Sequence, residues 1–192
     1  MLDPLGTRSL DRAPMSDERV LFDHEAIART LRRLALEIVD RTRGTDKLAL
    51  VGIRRGGVPI AARLATQIAE SEGRAVPVGV IEIALYRDDA ATALPDPKIG
   101  PSHIDFDVNG RDVVLVDDVL QTGRTVRAAI DCLLDYGRPR RIWFAALFDR
   151  GGRELPIAPD FVGRVVDLAE GEKLIVDVEG DEDSARVRRS RA

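Results

Sequence analysis

The chain has 192 residues, 44% of them hydrophobic, so it can bury one substantial core and is expected to fold as a single domain. Its 29 basic and 33 acidic side chains give a net charge of −4, which argues against a protein whose whole surface attracts nucleic acid. The single cysteine excludes an intrachain disulfide, and no apolar run approaches the ~20 residues of a membrane span, so we expect a cytoplasmic protein.

The chain is predicted to begin with a flexible leader, residues 1–20, and a helix. Asp23 can act as the N-cap of this helix, and Gly44 is placed to end it. Apolar side chains recur at helical spacing at Ile27, Leu31, Leu34, Ala35 and Ile38. The opposite face is basic and includes Arg32 and Arg33.

A buried strand, a turn and a second helix are predicted next. Residues 48–53 form the short apolar run of a strand that is covered on both faces. The turn follows at residues 54–57, and Pro59 lies near the first position of the helix. A second strand is predicted at residues 76–85. Residues 86–111 are polar and rich in Pro and Asp, and a loop of this length is often a functional lid.

The second half of the chain is predicted to alternate strands with a helix. Residues 113–116 form the most apolar strand, and Gly137 stops the helix that follows. Three further strands are predicted at residues 142–148, 161–166 and 174–178. Residues 181–192 should fray, so the domain is placed at residues 21–180. This alternation implies an α/β fold with a mainly parallel sheet that helices cover on both faces.

A ligand site is predicted at the carboxyl end of the most apolar strand, where ligands bind in parallel sheets. Asp117 and Asp118 stand where that strand stops, and paired acceptors suit the vicinal hydroxyls of a ribose. The next loop offers backbone N–H groups, a helix N-terminus and threonine hydroxyls, which together suit a phosphate. The residues of this run are Asp117, Asp118, Val119, Leu120, Gln121, Thr122, Gly123, Arg124 and Thr125. A site that binds a diol at one end and a phosphate at the other fits a ribose 5-phosphate.

Other interpretations of the same run explain less. In an ordinary strand-to-helix turn, Asp117 and Asp118 would act as caps and Gly123 as a bend, which accounts for each residue alone but not for the combination. A P-loop requires Gly-x-x-x-x-Gly-Lys-Ser/Thr, which the chain lacks. Residues 52–57 do not match the Gly-x-Gly-x-x-Gly of a dinucleotide-binding fold.

Residues 113–125 resemble the signature with which type I phosphoribosyltransferases bind 5-phosphoribosyl 1-diphosphate (PRPP). Three other strings are similar to the PyrR family, whose members regulate pyrimidine operons and are uracil phosphoribosyltransferases. They are Leu-Tyr-Arg-Asp-Asp at 85–89, Gly-Arg-Pro at 137–139 and Asp-Arg-Gly-x-Arg-Glu-Leu-Pro-Ile at 149–157. The resemblance implies a type I phosphoribosyltransferase fold, with a flexible active-site loop and a small hood.

The resemblance implies roles at the phosphoribosyl end of the site. Asp117 and Asp118 would hold the ribose hydroxyls, and residues 122–125 the 5-phosphate. The turn that would bind pyrophosphate consists of Arg54, Arg55, Gly56 and Gly57, and Arg87 on the long loop would close over it. Mg²⁺ would bridge pyrophosphate and ribose oxygens, with Asp117 and Asp118 as candidate ligands.

The resemblance also implies the base and the reaction. The base would stack near Val119 and Leu120 and pair with groups around Asp149, Arg150 and Val166. Uracil and PRPP would then give UMP and pyrophosphate, through a transition state with cationic character at the anomeric carbon.

The chain departs from the family's pattern at several positions. Gln121 stands where purine enzymes usually carry an aspartate and PyrR proteins a tyrosine, so a purine substrate is disfavoured. Residues 55–57 read Arg-Gly-Gly where the family has Thr-Arg-Gly, and Gly152 replaces a histidine. The segment after Gly163, which closes the base pocket in the family, also differs.

In the family, leader RNA of the pyrimidine operon binds a basic concave face of a dimer. Arg32, Arg33, Arg153 and Arg164 could form such a face here, although Leu36 and Ala158 replace two contacts. The resemblance suggests a homodimer or homotetramer. Three functions therefore stay open: a uracil phosphoribosyltransferase, a regulator that senses nucleotides and binds RNA with little catalysis, or a phosphoribosyltransferase for another base.

Overall fold

The computed structural model describes residues 18–84, 101–178 and 182–189, which form three helices and eight strands. In chain order these are β1 (Glu18–Phe22), α1 (His24–Thr42), β2 (Leu48–Ile53), α2 (Gly57–Glu72), β3 (Val78–Ile81), β4 (Asp112–Leu120), α3 (Arg124–Leu134), β5 (Arg141–Asp149), β6 (Phe161–Val165), β7 (Glu172–Asp177) and β8 (Ser184–Arg189).

Five strands form a parallel sheet in the order β3-β2-β4-β5-β6. Strand β4 lies at its centre and is buried from Asp112 to Asp117, because helices cover both faces of the sheet. The side on which the chain adds its next strand changes between β2 and β4: β3 follows β2 on one side of the sheet, and β5 follows β4 on the other. Ligands bind beyond the strand ends at such a crevice, so the fold places the predicted site there.

Alternate residues of the central strands contribute to two hydrophobic cores. The core shared with α1 and α2 receives Leu48 and Leu50 from β2, Val114 and Val116 from β4, and Ala145 and Leu147 from β5. The core shared with α3 receives Val51, Ile53, Val113, Leu115, Phe144 and Ala146. The helices therefore lie on both faces, as the sequence predicts.

Helix α1 begins where the sequence predicts and ends close to the predicted position. Oδ1 of Asp23 accepts a hydrogen bond from the N–H of Ala26 at 2.8 Å, which makes Asp23 the N-cap. At the other end, Arg43 takes the left-handed conformation with φ of 60°, and the N–H of Gly44 donates to the carbonyl of Val39 at 2.9 Å. Arg43 and Gly44 share the C-terminal cap.

Strands β1, β8 and β7 form a separate antiparallel sheet, which is the small hood. This sheet corrects the expectations for both ends of the chain: β1 starts inside the predicted leader, and β8 lies inside the segment expected to fray. Ala185 and Val187 of β8 are buried, which explains why this segment is ordered. Strand β7, expected to begin at Leu174, belongs to this sheet and not to the parallel one.

Asp183 anchors β8 to the helices. Its side chain is fully buried and forms an ion pair with Arg63 of α2. Its Oδ2 also lies 3.4 Å from Nδ1 of His24, at the start of α1. The hood is therefore attached to both helices of one face.

Strand β3 is shorter than expected, and residues 85–100, which include much of the predicted active-site loop, lie outside the described ranges. Where the described chain resumes, His103 pairs with Val80 through two backbone hydrogen bonds of 2.7 and 2.8 Å. None of the described helices is long and apolar enough to cross a membrane.

Candidate active site

Asp117 and Asp118 lie together at the carboxyl end of β4. Asp117 is buried, with 6% of its surface exposed, whereas Asp118 is half-buried. Oδ1 of Asp117 accepts from the N–H of Asp118 at 3.0 Å, and Oδ1 of Asp118 accepts from the N–H of Val119 at 2.7 Å. Local backbone bonds therefore fix the orientation of both carboxyl groups.

Burial raises the pKa of Asp117 well above its ordinary value. The negative charge of Asp118 and a hydrogen bond between the two carboxyl groups raise this pKa further, and the N–H of Asp118 offsets only part of the effect. The pair therefore holds a proton more readily than two isolated carboxylates. Hydroxyl donors or positive charge brought by a ligand would favour the ionised pair.

The turn after β2 packs directly against the end of β4. A Cβ atom added to Gly56 would overlap the carboxylate of Asp118 and lie 2.8 Å from its Cβ, and one added to Gly57 would overlap the carbonyl of Val116. The peptide bond that precedes Arg55 in this turn is cis. The predicted pyrophosphate turn and the predicted ribose acids are therefore direct neighbours.

Arg54 connects this turn to the returning end of the long loop. Its Nη2 donates to the carbonyl of Pro101 at 3.2 Å, and its backbone N–H donates to the carbonyl of Ile81 at 3.0 Å. Arg87 lies outside the described residues, so its closure over pyrophosphate stays a prediction.

The loop after β4 leads to an open helix N-terminus. Gly123, with φ of 90°, is the N-cap of α3, and no side chain caps the helix. The first helical bond runs from the N–H of Arg127 to the carbonyl of Gly123 at 3.0 Å, so earlier N–H groups lack a helical partner. The N–H of Arg124 donates to Oγ1 of Thr122 at 3.3 Å. Within the described ranges, the amides of Gly123 and Thr125 donate to no protein group.

Residues 153–157, which the sequence marks by a family motif and by the predicted RNA contact Arg153, form the back of this loop. The N–H groups of Glu154 and Leu155 donate to the carbonyl of Thr122 at 3.0 and 3.1 Å. Oε2 of Glu154 accepts from Nε of Arg124 at 2.6 Å. The string Arg-Glu-Leu-Pro-Ile was the signal that marked this segment, but no local pattern shows which loop it supports.

The predicted base site lies where the ends of three strands meet. The N–H of Arg150 donates to the carbonyl of Leu120 at 3.1 Å, and the N–H of Val166 donates to the carbonyl of Asp149 at 2.8 Å. Leu120 and Val166 are buried, whereas Val119 is half-buried. The structure thus brings all five predicted base-site residues together.

Asp149 is held in its ionised form. Its burial alone would raise its pKa, but hydrogen bonds from Arg153 at 2.5 Å and from the N–H of Gly151 at 3.0 Å, with the charge of Arg153, lower the pKa below the ordinary value. Asp149 is therefore an acceptor whose charge is already compensated by the protein.

The four arginines that the resemblance assigns to RNA lie in two places. Arg33 on α1 donates to two carbonyls of β6 at 2.9 and 2.6 Å, and Nε of Arg164 lies 3.2 Å from the hydroxyl of Thr30. Arg32 is exposed on the same helix. Arg153 instead contacts the loop after β4, so the structure does not group it with the other three.

The carboxylates at the end of β4 suit a magnesium ion. No cluster of three or more His, Cys, Asp or Glu residues with metal-binding geometry occurs in the described ranges. Mg²⁺ takes one or two carboxylates and completes its shell with phosphate oxygens and water, so Asp117 and Asp118 fit a site that PRPP itself completes.

Comparison with known proteins identifies the family. The phosphoribosyl transferase domain matches residues 19–179. A bifunctional protein PyrR from Pelotomaculum thermopropionicum is 50% identical over 165 residues, which cover 84% of this chain and 91% of that protein. This chain belongs to the PyrR family of phosphoribosyltransferases.

Other members of the PyrR family are similar to this chain in sequence to about the same degree. A PyrR protein from Thermus aquaticus is 52% identical over 167 residues, covering 87% of this chain and 92% of its own. One from Listeria welshimeri is 48% identical over 182 residues, covering 92% of this chain and 100% of its own. The family and the class of enzyme predicted from the sequence are confirmed.

Solved structures confirm the predicted fold class. A hypoxanthine phosphoribosyltransferase from Trypanosoma cruzi matches with a TM-score of 0.65 at 19% identity, over 90% of this chain and 97% of that one. A hypoxanthine-guanine phosphoribosyltransferase from Bacillus anthracis matches with a TM-score of 0.60 at 21% identity, over 77% and 82%. At such low identity these enzymes share the type I fold with PyrR proteins, and their purine substrates do not carry over.

Proposed function

We propose that this PyrR-family chain transfers the phosphoribosyl group of PRPP to uracil in the cytoplasm, giving UMP and pyrophosphate. One observation carries the proposal: three recognition elements meet at one edge of the sheet. They are the acids Asp117 and Asp118, the open N-terminus of α3, and the glycine turn that touches Asp118. They match the diol, the 5-phosphate and the pyrophosphate of PRPP.

The chain's own groups position PRPP for the reaction. Asp117 and Asp118 accept hydrogen bonds from the two ribose hydroxyls, while the amides of Gly123 and Thr125 donate to the 5-phosphate. The bond from C1 of the ribose to pyrophosphate breaks, and a bond from C1 to N1 of uracil forms as N1 loses its proton to the leaving pyrophosphate. The nearby carboxylates stabilise the positive charge that develops on the ribose. Positioning supplies most of the catalysis, and no nucleophilic side chain is needed.

Three groups would contact the leaving pyrophosphate in this proposal. Asp117 and Asp118 are the candidate ligands that would hold Mg²⁺, which would neutralise charge on the pyrophosphate. The backbone of residues 54–57 holds the pyrophosphate, and Arg87 closes over it and excludes water.

Uracil is the proposed base because of Gln121. An amide cannot take a proton from a purine ring as an aspartate can, so the position favours a pyrimidine. The base lies against Val119 and Leu120, and it pairs with groups around Asp149, Arg150 and Val166.

The test is product formation from PRPP and Mg²⁺ with four bases in parallel: uracil, hypoxanthine, guanine and orotate. UMP should form and the other three nucleotides should not. Turnover with a purine alone would overturn the choice of uracil. For variants in which Asp117 or Asp118 is replaced by asparagine, Asp46→Asn is the matched control, because Asp46 is exposed and precedes β2 at the opposite edge of the sheet.

A second candidate function is regulation by binding pyrimidine operon leader RNA, which the PyrR resemblance implies. The exposed position of Arg32 on α1 favours it. UMP should raise the affinity for leader RNA, and affinity should fall with salt as phosphate contacts require. No binding at low salt would remove this function. If no base is turned over while UMP still raises the melting temperature, the chain is a nucleotide sensor and not an enzyme.

The proposed assembly is a homodimer or homotetramer, as the family resemblance suggests. Light scattering at several protein concentrations measures it directly. A particle of one chain at all concentrations would contradict this assignment.

A further inference from the structure

Arg153 joins the two ends of the proposed site through three hydrogen bonds. Its Nη2 donates to Oδ2 of Asp149 at 2.5 Å, its Nη1 to the carbonyl of Gln121 at 2.9 Å, and its Nε to the carbonyl of Ile157 at 3.1 Å. The acceptors belong to the end of β5, the loop after β4 and the segment behind that loop. The guanidinium, whose side chain is 25% exposed, is therefore a structural link between the base side and the phosphate side.

The bond to Gln121 sets the direction of a peptide group. The peptide between Gln121 and Thr122 is trans, so its carbonyl and its N–H point in opposite directions. Because Arg153 holds the carbonyl toward residues 153–157, the N–H of Thr122 points away from them. Two backbone N–H groups of that segment hold the carbonyl of Thr122 in the same way, at 3.0 and 3.1 Å, which turns the N–H of Gly123 to the same open side.

The open side is where the 5-phosphate of PRPP is proposed to bind, at the N-terminus of α3. We infer that Arg153 is a positioning residue for this phosphate: by fixing the carbonyl of Gln121 it aims the loop amides at the ligand. Its bond to Asp149 anchors the guanidinium to the rigid end of β5. This inference rests on the proposed function, and Arg153 itself contacts no substrate.

The role differs from the RNA contact that the PyrR resemblance implies for Arg153. An RNA phosphate would have to compete with three protein acceptors for the same guanidinium. One of these acceptors is a carboxylate that the pairing keeps ionised, because the bond to Arg153 contributes to the lowered pKa of Asp149. Arg153 is therefore part of the nucleotide site.

Steady-state kinetics of Arg153→Gln separates positioning from general stability. A loop that is aimed less well binds PRPP and the transition state equally weakly, so KM for PRPP should rise about tenfold while kcat changes much less. A purely structural role would reduce the amount of active enzyme and lower apparent kcat at constant KM. Arg153→Lys keeps a cation beside Asp149 but cannot also reach the carbonyl of Gln121. Its KM for PRPP should therefore lie between those of the wild type and Arg153→Gln.

Calorimetry tests the same inference without turnover. The Kd of UMP and that of ribose 5-phosphate should both rise about tenfold in Arg153→Gln, because both carry the phosphate, whereas uridine should lose little. Arg74→Gln is the matched control, since Arg74 is an exposed arginine whose ion pair with Asp46 lies outside the proposed site. It should leave every constant unchanged.

The outcomes keep the inference separate from the proposed function. Unchanged KM and Kd values in Arg153→Gln, or equal losses for UMP and uridine, would overturn it. If the wild-type chain binds UMP but does not turn over uracil, the enzyme assignment fails and the calorimetry still decides the role of Arg153. If Arg153→Gln does not fold, Arg153→Lys decides by the same measurements.

Discussion

Gly56 in the turn after β2 lies against the carboxylate of Asp118 at the end of β4, so closely that a methyl group at position 56 would overlap it. The family's pattern has an arginine at this position, whereas in this chain Asp118 fills the space that the Cβ of such a residue would take. In this chain the turn meets the acid with bare backbone, and it leaves Asp118 half-buried. The close approach makes the turn and the acid one unit, in which a change on one side displaces the other.

Gly56→Ala should therefore reduce kcat/KM for PRPP by at least about tenfold, or about 1.4 kcal/mol, because the new methyl group displaces Asp118 or the turn. Initial rates over a PRPP series measure this. Gly171→Ala is the control: its Cβ would meet no atom within 4 Å, so it should cost some stability through its positive φ but no activity. Normal kinetics in Gly56→Ala would show that the two residues are not coupled.

Asp117→Asn should stabilise the protein at neutral pH while it weakens PRPP binding. The pKa of Asp117 is raised by folding, so the folded protein keeps a proton over a pH window in which the unfolded chain has released it. Stability is therefore lost as pH rises through this window, and an asparagine avoids the loss. Urea denaturation should show the variant to be more stable than wild type at pH 7, with a difference that shrinks toward pH 4. A variant less stable at pH 7 would contradict the assigned pKa direction.

The central strands and the positions of the paired acids and the loop after β4 could be predicted from the sequence because their signals are local. Continuous apolar runs mark strands that are buried on both faces, and β2 was predicted residue by residue. Asp117 and Asp118 at a strand end, followed by Gly123, specify a ligand type through the chemistry of adjacent residues.

Strands β1 and β8 of the hood and the back of the loop could not be predicted from the sequence because they depend on distant partners. Strand β8 alternates arginines with only two buried apolar residues, Ala185 and Val187, and it pairs with β1 at the other end of the chain. Arg153 looks like a solvated arginine in sequence. Only the fold brings it to the carbonyl of Gln121, 32 residues earlier.

Asp183→Ala should destabilise the fold by about 3 kcal/mol, because it removes one partner of a buried ion pair and leaves Arg63 uncompensated. Chemical denaturation measures the loss, and hydrogen exchange should show the greatest loss of protection in β8. Asp177→Asn is a control in the same sheet, since its side chain is 53% exposed and its ion pair is 3.9 Å long. Equal stability of both variants would contradict the anchoring role of Asp183.

Arg32→Gln and Arg33→Gln should have different effects. Arg33 donates to two carbonyls of β6, so its loss should cost about 1–2 kcal/mol of stability. Arg32 is exposed, so its loss should leave stability unchanged and reduce the affinity for leader RNA and the salt dependence of that affinity. Denaturation curves and RNA titrations at several salt concentrations test both. A loss of stability in Arg32→Gln would contradict this distinction.

The proposed function depends most on the acids at the end of β4, which are proposed to hold the ribose of PRPP. Calorimetric titration of PRPP with Mg²⁺ into the folded Asp117→Asn/Asp118→Asn double variant tests it directly, beside Asp46→Asn. We expect the double variant to lose PRPP binding while it keeps a normal unfolding transition, and the control to bind PRPP with wild-type affinity. Unaltered PRPP affinity in the double variant would contradict this role of the acids.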